Sequence, residues 1–204
     1  MVGSISSVTS GFCAGTFIAT EDGAAPVELI TKDMRVHTRD NGLQSVAWTG
    51  IREISFSDMF STRGLRPVLI RADALGPGAP DHDIEVSPNH RVLVKASRAI
   101  SPFAEPVARA RGRFMENEVL IAARHLVDGE GVVWAEPADL QYFQLMFATD
   151  QVILADGLWS ESFRPDAAVL EAMEPQMRAM VGAANAKPAN AKVVSRPVRR
   201  LAGS

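Results

Sequence analysis

The chain has 204 residues and a mass of 22.0 kDa; 47% of the residues are hydrophobic, 22% charged and 6% aromatic. These proportions are those of a soluble globular protein and exclude a collagen, a disulfide-stapled mini-protein and a wholly disordered chain. A formal net charge of −3 and a pI of 5.8 leave no basic footprint for nucleic acid or an anionic membrane, so neither is expected as a partner.

The length fits one core plus appendages. The start, MVGSISSVTSG, lacks a basic region followed by a long apolar run, so no signal peptide is read there. Apolar stretches such as 119–123 and 152–155 fall far short of the roughly 20 residues that cross a bilayer. The default location is the cytoplasm, with a leaderless secretion route left open. The single cysteine, Cys13, can form neither an internal disulfide nor a thiolate zinc site.

In chain order, residues 1–12 read as a flexible leader. From 13 to 165 the sequence reads as many short strands. Met34–Arg39 alternates and meets a turn at Asp40-Asn41-Gly42, after which 43–54 returns. Further runs are 68–71, 84–86, 91–94, 118–122, 132–135, 142–147 and 151–154, the last joined by a turn at Asp156-Gly157 to 158–163. Short strands punctuated by Gly and Pro predict a mainly antiparallel all-β domain. Beyond it, 166–204 reads as a short helix and a basic tail. Asp166 is the N-cap, Pro175 ends or kinks the helix, and 182–204 carries five basic residues and no acid.

Two segments carry chemistry. One is Gly11-Phe12-Cys13-Ala14-Gly15-Thr16, a cysteine entering a strand after the leader. The other is Ser87-Pro88-Asn89-His90-Arg91-Val92-Leu93-Val94, a hydroxyl three residues before a histidine at the mouth of an apolar strand. Together with Pro26-Val27-Glu28-Leu29, the run from Asp33 to Gly42, Trp48–Arg52 and Ala155–Phe163, they resemble the Hedgehog/intein (Hint) module, in particular its bacterial intein-like relatives. The resemblance runs from about Phe12 to Pro165. It implies a compact, horseshoe-like fold whose first residue and last strand come together.

A cysteine thiol can attack the carbonyl of the residue before it, giving a thioester and a free amine. The reaction needs a thiolate, which is only about 3% of a free thiol at pH 7. It also needs an acid for the departing nitrogen and donors for the oxyanion. The resemblance implies Cys13 as nucleophile, His90 as the acid at the Phe12–Cys13 nitrogen and Ser87 as supporting donor. The expected activity is an N–S acyl shift at Phe12–Cys13. Water or a small thiol then resolves the thioester and releases the chain's own N-terminal segment. No cofactor or metal is called for, and a monomer is expected.

The sequence also departs from the family's pattern. No His-Asn pair follows the closing hairpin, where Glu161-Ser162 stands instead, so ligation is not expected. Two positions where the family carries histidine read Gln144 and Asp150, and Asp150 is a candidate replacement in the first step. A second reading is therefore a degenerate scaffold that keeps the fold without the reaction and serves as a structural or partner-binding β-module. Asp81-His82-Asp83 reads as a solvated loop, His37 and His125 as structural, and Trp48, Trp134 and Trp159 as packing residues.

Overall fold

The computed structural model describes residues 10–61, 63–95, 118–136 and 140–165, together with Glu171, Pro175, Arg178 and Ala179. Thirteen strands are present among the described residues: β1 (Phe12–Cys13), β2 (Phe17–Thr20), β3 (Gly23–Pro26), β4 (Arg35–Thr38), β5 (Gly42–Ile54), β6 (Val68–Ile70), β7 (Ile84–Val86), β8 (Arg91–Lys95), β9 (Glu118–Ala122), β10 (Val132–Trp134), β11 (Leu140–Phe147), β12 (Val152–Ala155) and β13 (Leu158–Glu161). Every pairing is antiparallel. The strand order is β10-β6-β7-β1-β11-β5-β4-β2-β12-β13-β8-β9, with β3 on β2 and an added β4–β12 contact, and the whole curls into a half-barrel. The expected all-β architecture is the one observed.

The local chemistry explains the hairpins. In β4, Val36 and Thr38 point inward while Arg35 and His37 are exposed, the period-2 pattern of a half-buried strand. Asn41 lies in the following turn, and Gly42 enters β5 at φ 63°, a backbone that favours glycine. Thr38 Oγ1 donates to Gly42 O at 2.7 Å and so clasps the turn. The 13-residue β5 pairs with β4 and with β11, so one strand links the two halves of the sheet. At the β12–β13 turn, Gly157 has φ 70°. A Cβ there would lie 2.8 Å from both Asp81 Cγ and Gly78 O, so the turn packs too closely for a side chain.

Two elements escaped the sequence reading. The β2–β3 hairpin was one. The helix α1 (Phe56–Ser61) was the other, and its signal was available: Ser55 Oγ accepts from Asp58 N at 3.2 Å and donates to Asp58 Oδ2 at 2.7 Å, an N-terminal cap. Near the C-terminus Glu171, Pro175, Arg178 and Ala179 are helical. Asp166, residues 1–9 of the leader and the tail 182–204 lie outside the described residues. Trp48 packs on Phe163 with ring centroids 5.7 Å apart, whereas Trp134 is 40% exposed and does not join the core. Among the described residues no helix is long and apolar enough to cross a membrane.

The main core gathers Phe12, Ile18, Val36, Val86, Val92, Phe143, Leu145 and Ile153 with their neighbours. A separate, smaller cluster holds Cys13, Ile54, Met59, Leu65, Leu140 and Tyr142. Residues 12 and 13, adjacent in sequence, therefore belong to different clusters.

Candidate active site

The site is built where the chain enters the domain. β1 lies between β7 and β11, with Phe12 opposite Val86 on one side and Phe143 on the other, and Cys13 opposite Tyr142. This register places Gly11 opposite Ser87. Ser87 N donates to Gly11 O at 2.9 Å, as a ladder requires. The return bond is different. The Ser87 carbonyl is already taken by His90 N at 2.9 Å, which closes the Ser87-Pro88-Asn89-His90 turn. Gly11 N donates instead to Ser87 Oγ at 3.0 Å, so the hydroxyl stands in for its own carbonyl. A hydroxyl at this position is thus what keeps a buried N–H satisfied.

The same turn sets His90. Its carbonyl accepts from Ala123 N at 2.9 Å, its Nδ1 lies 3.1 Å from Ser10 Oγ, and its ring meets the Phe12 ring at a centroid distance of 4.3 Å. Its Nε2 is buried and has no hydrogen-bond partner among the described residues. Burial lowers the imidazole pKa from 6.5 to about 3, so the ring is neutral near pH 7. Across the site, Gln144 Nε2 donates to Ser10 O at 3.1 Å. The Ser10–Gly11 peptide is therefore held at its carbonyl by Gln144 and at its nitrogen by Ser87, with His90 beside it.

Cys13 lies elsewhere. Side chains alternate along a strand, so Phe12 takes the His90 side and Cys13 the opposite one. There the thiol is buried among Ile54, Met59, Leu65, Leu140 and Tyr142. Tyr142 Oη donates to Leu65 O at 2.7 Å, which fixes the ring beside it. Burial raises the thiol pKa well above its ordinary value, and the nearby Glu85 carboxylate raises it further. The structure brings Ser87 and His90 together, as the sequence suggested, but on Ser10–Gly11. It does not bring the Cys13 thiol to the imidazole. The described contacts of the His90 ring are the Ser10 hydroxyl and the Phe12 ring. Asp150, the candidate replacement for a histidine, is exposed and pairs with Arg164 at 3.4 Å. Ser10, Gly11 and the donor role of Gln144 were missed. Ser10 and Gly11 sat in a stretch read as leader, and Gln144 was read only as an absent histidine.

One group among the described residues has donor atoms close enough to hold a cation: Asp81, His82 and Asp156, within 4.8 Å of one another. They border a cleft of about 470 Å³ that Phe17 and Leu154 also line. Asp81 and His82 are exposed, as a solvated loop should be, and pair at 3.1 Å. The Asp156 carboxylate accepts from Phe17 N at 3.2 and 3.3 Å, and burial is the largest cause of its raised pKa. This group lies apart from the residues that hold Ser10–Gly11.

Similarity to known proteins extends over most of the chain. A family model described as Hint domain matches residues 10–167. Among solved structures, the chain is similar to a bacterial intein-like domain from Clostridium thermocellum, at 15% identity over 76% of this chain and 99% of that one, with a TM-score of 0.41. It is also similar to a DnaB intein from Synechocystis sp. PCC 6803, at 10% identity over 76% and 100% of the two chains and a TM-score of 0.45. The gp41-1 intein matches at 10% identity over 74% and 98%, with a TM-score of 0.40. A comparison with curated proteins gave no match. With its all-β half-barrel and a family match from residue 10 to residue 167, the chain belongs to the Hint domain family.

Proposed function

We propose that this Hint domain is a non-cleaving module: it keeps the fold of a self-processing family and leaves its Phe12–Cys13 bond intact, serving as a structural or partner-binding β-scaffold. The observation that carries this reading is the separation of Cys13 from His90 by the alternation of β1, with the thiol in an apolar cluster. An acyl shift at Phe12–Cys13 calls for a thiolate, an acid at the Cys13 nitrogen and a donor at the Phe12 carbonyl. The thiol's environment opposes ionisation. The imidazole is neutral, with Nδ1 turned to Ser10. Residues 10–12 are, in this reading, part of the folded sheet rather than a substrate to be discarded. No step calls for a cofactor or metal.

The competing reading is self-cleavage: Cys13 attacks the Phe12 carbonyl, His90 protonates the departing nitrogen with Ser87 in support, and water or a small thiol releases residues 1–12 without ligation. The retained pair Ser87 and His90 favours it. Intact-mass spectrometry of the full chain, held for days in excess thiol at pH 8, separates the two. An unchanged mass is expected. Loss of residues 1–12, abolished in Cys13→Ala, would overturn the non-cleaving reading.

A further inference from the structure

We infer that the bond for which this site is shaped is Ser10–Gly11, that Gln144 is the donor to its carbonyl, and that Gly11 is the position at which the nucleophile is missing. The inference rests on the non-cleaving reading and explains it. Three contacts converge on one peptide: Gln144 Nε2 on the Ser10 carbonyl at 3.1 Å, Ser87 Oγ at the Gly11 nitrogen at 3.0 Å, and His90 Nδ1 on the Ser10 hydroxyl at 3.1 Å. The first two are placements an acyl shift uses, a donor where the oxyanion develops and a hydroxyl at the leaving nitrogen, and the imidazole stands on the Ser10 hydroxyl beside them.

The nucleophile for such a shift must come from the residue that supplies the nitrogen, because its side chain reaches the preceding carbonyl through a five-membered ring. Here that residue is Gly11, which has no side chain. Among the described residues nothing nearby substitutes for it. Cys13 shares Gly11's face but sits two residues on, roughly 7 Å along the strand. The Ser10 hydroxyl could reach its own carbonyl only through a strained four-membered ring. The sheet has also closed on the vacancy: a Cβ at Gly11 would lie 2.9 Å from Phe143 O and 3.1 Å from Tyr142 Cβ. A side chain there fits only if β1 and β11 part by a few tenths of an ångström.

Supplying the nucleophile tests this. In Gly11→Cys, carried in Cys13→Ala so that a single thiol remains, the sulfur attacks the Ser10 carbonyl. A C–S bond forms and the C–N bond between residues 10 and 11 breaks. The thiol loses its proton to solvent base at pH 8, and the departing amine takes a proton from solvent by way of His90 and the Ser10 hydroxyl it contacts. Added 2-mercaptoethanesulfonate then displaces the thiol of residue 11, taking residues 1–10 away as a thioester and leaving residue 11 as the new N-terminus. Intact-mass spectrometry of the full chain at pH 8 should show this fragment pair. His90→Ala in that background should slow its appearance by at least ~10²-fold, and Gln144→Leu by ~10²–10³-fold. A folded Gly11→Cys protein that stays whole for days, or that breaks at another bond, overturns the inference.

Should near-UV circular dichroism show the variant unfolded, the otherwise wild-type chain decides by NMR. Ser87→Ala should speed exchange of the Gly11 amide, and Gln144→Leu should shift the Ser10 carbonyl carbon. Unmoved signals in both overturn the assignment. Wild-type loss of residues 1–12 would instead sink the non-cleaving reading, and is distinguished by its different fragment mass.

Discussion

The two faces of β1 are made from neighbouring residues and could hardly differ more. On one, Phe12 lies against the main core and carries the His90 ring, with Ser10 capping Nδ1. Polar groups there are directed at a single peptide. On the other, Cys13 is enclosed by Ile54, Met59, Leu65, Leu140 and Tyr142, and burial first and the Glu85 carboxylate second disfavour a thiolate. The contrast teaches that possession of a cysteine and a histidine in one β-module does not make a reacting pair. A one-residue step along a strand carries a side chain to the other side of the sheet.

The largest expected effect of breaking this arrangement is on the Phe12 face. Phe12 is 1% exposed and supports both β1 and the imidazole, so Phe12→Ala should cost about 3–5 kcal/mol in urea unfolding. A cost below 1 kcal/mol would mean that β1 does not anchor the site. Next is the pH dependence of the buried ring. The His90 pKa falls from 6.5 in the free side chain to about 3 in the fold. Between these values the unfolded chain binds a proton that the folded one refuses. The His90 contribution is thus fully present above about pH 6.5 and is lost as the pH falls toward 3, by about 1.4 kcal/mol per unit. Comparison with His90→Gln isolates it, because the raised pKa values of Glu85, Asp156 and Glu161 act with the opposite sign in both proteins.

On the Cys13 face the effects are smaller. Tyr142→Phe leaves the Leu65 carbonyl without its 2.7 Å donor and should cost ~1–2 kcal/mol, read as a lower midpoint in denaturant. Cys13→Ala removes one buried sulfur from an apolar cluster and should cost ~1 kcal/mol, with no change in the chain's mass in thiol. A Cys13→Ala protein as destabilised as Phe12→Ala would erase the contrast between the faces.

Much of the fold was legible because its signals are local. Asp40-Asn41-Gly42 and Asp156-Gly157 lie at the predicted turns, and the alternation of Arg35–Thr38 reads directly as a half-buried strand. The Ser87–His90 spacing was legible too, since one turn makes both residues face the incoming chain. What they face was not. β1 has only two residues, too few for a period, and its register is set by Val86, Tyr142 and Phe143, more than seventy positions away. That register alone assigns Cys13 to one face and Phe12 to the other. Gln144 likewise gains its meaning only from Ser10, 134 residues distant. The α1 helix differs, because Ser55 and Asp58 announced its cap in the sequence and were passed over.

The separation of the two faces can be read most directly from proton–proton contacts in the full chain by NMR. The account predicts nuclear Overhauser effects from the His90 ring protons to the Phe12 ring and the Ser10 β-protons, and from the Cys13 β-protons to Tyr142 and Leu65. A cross-peak between the His90 ring and the Cys13 β-protons, with none between His90 and Ser10, would contradict it.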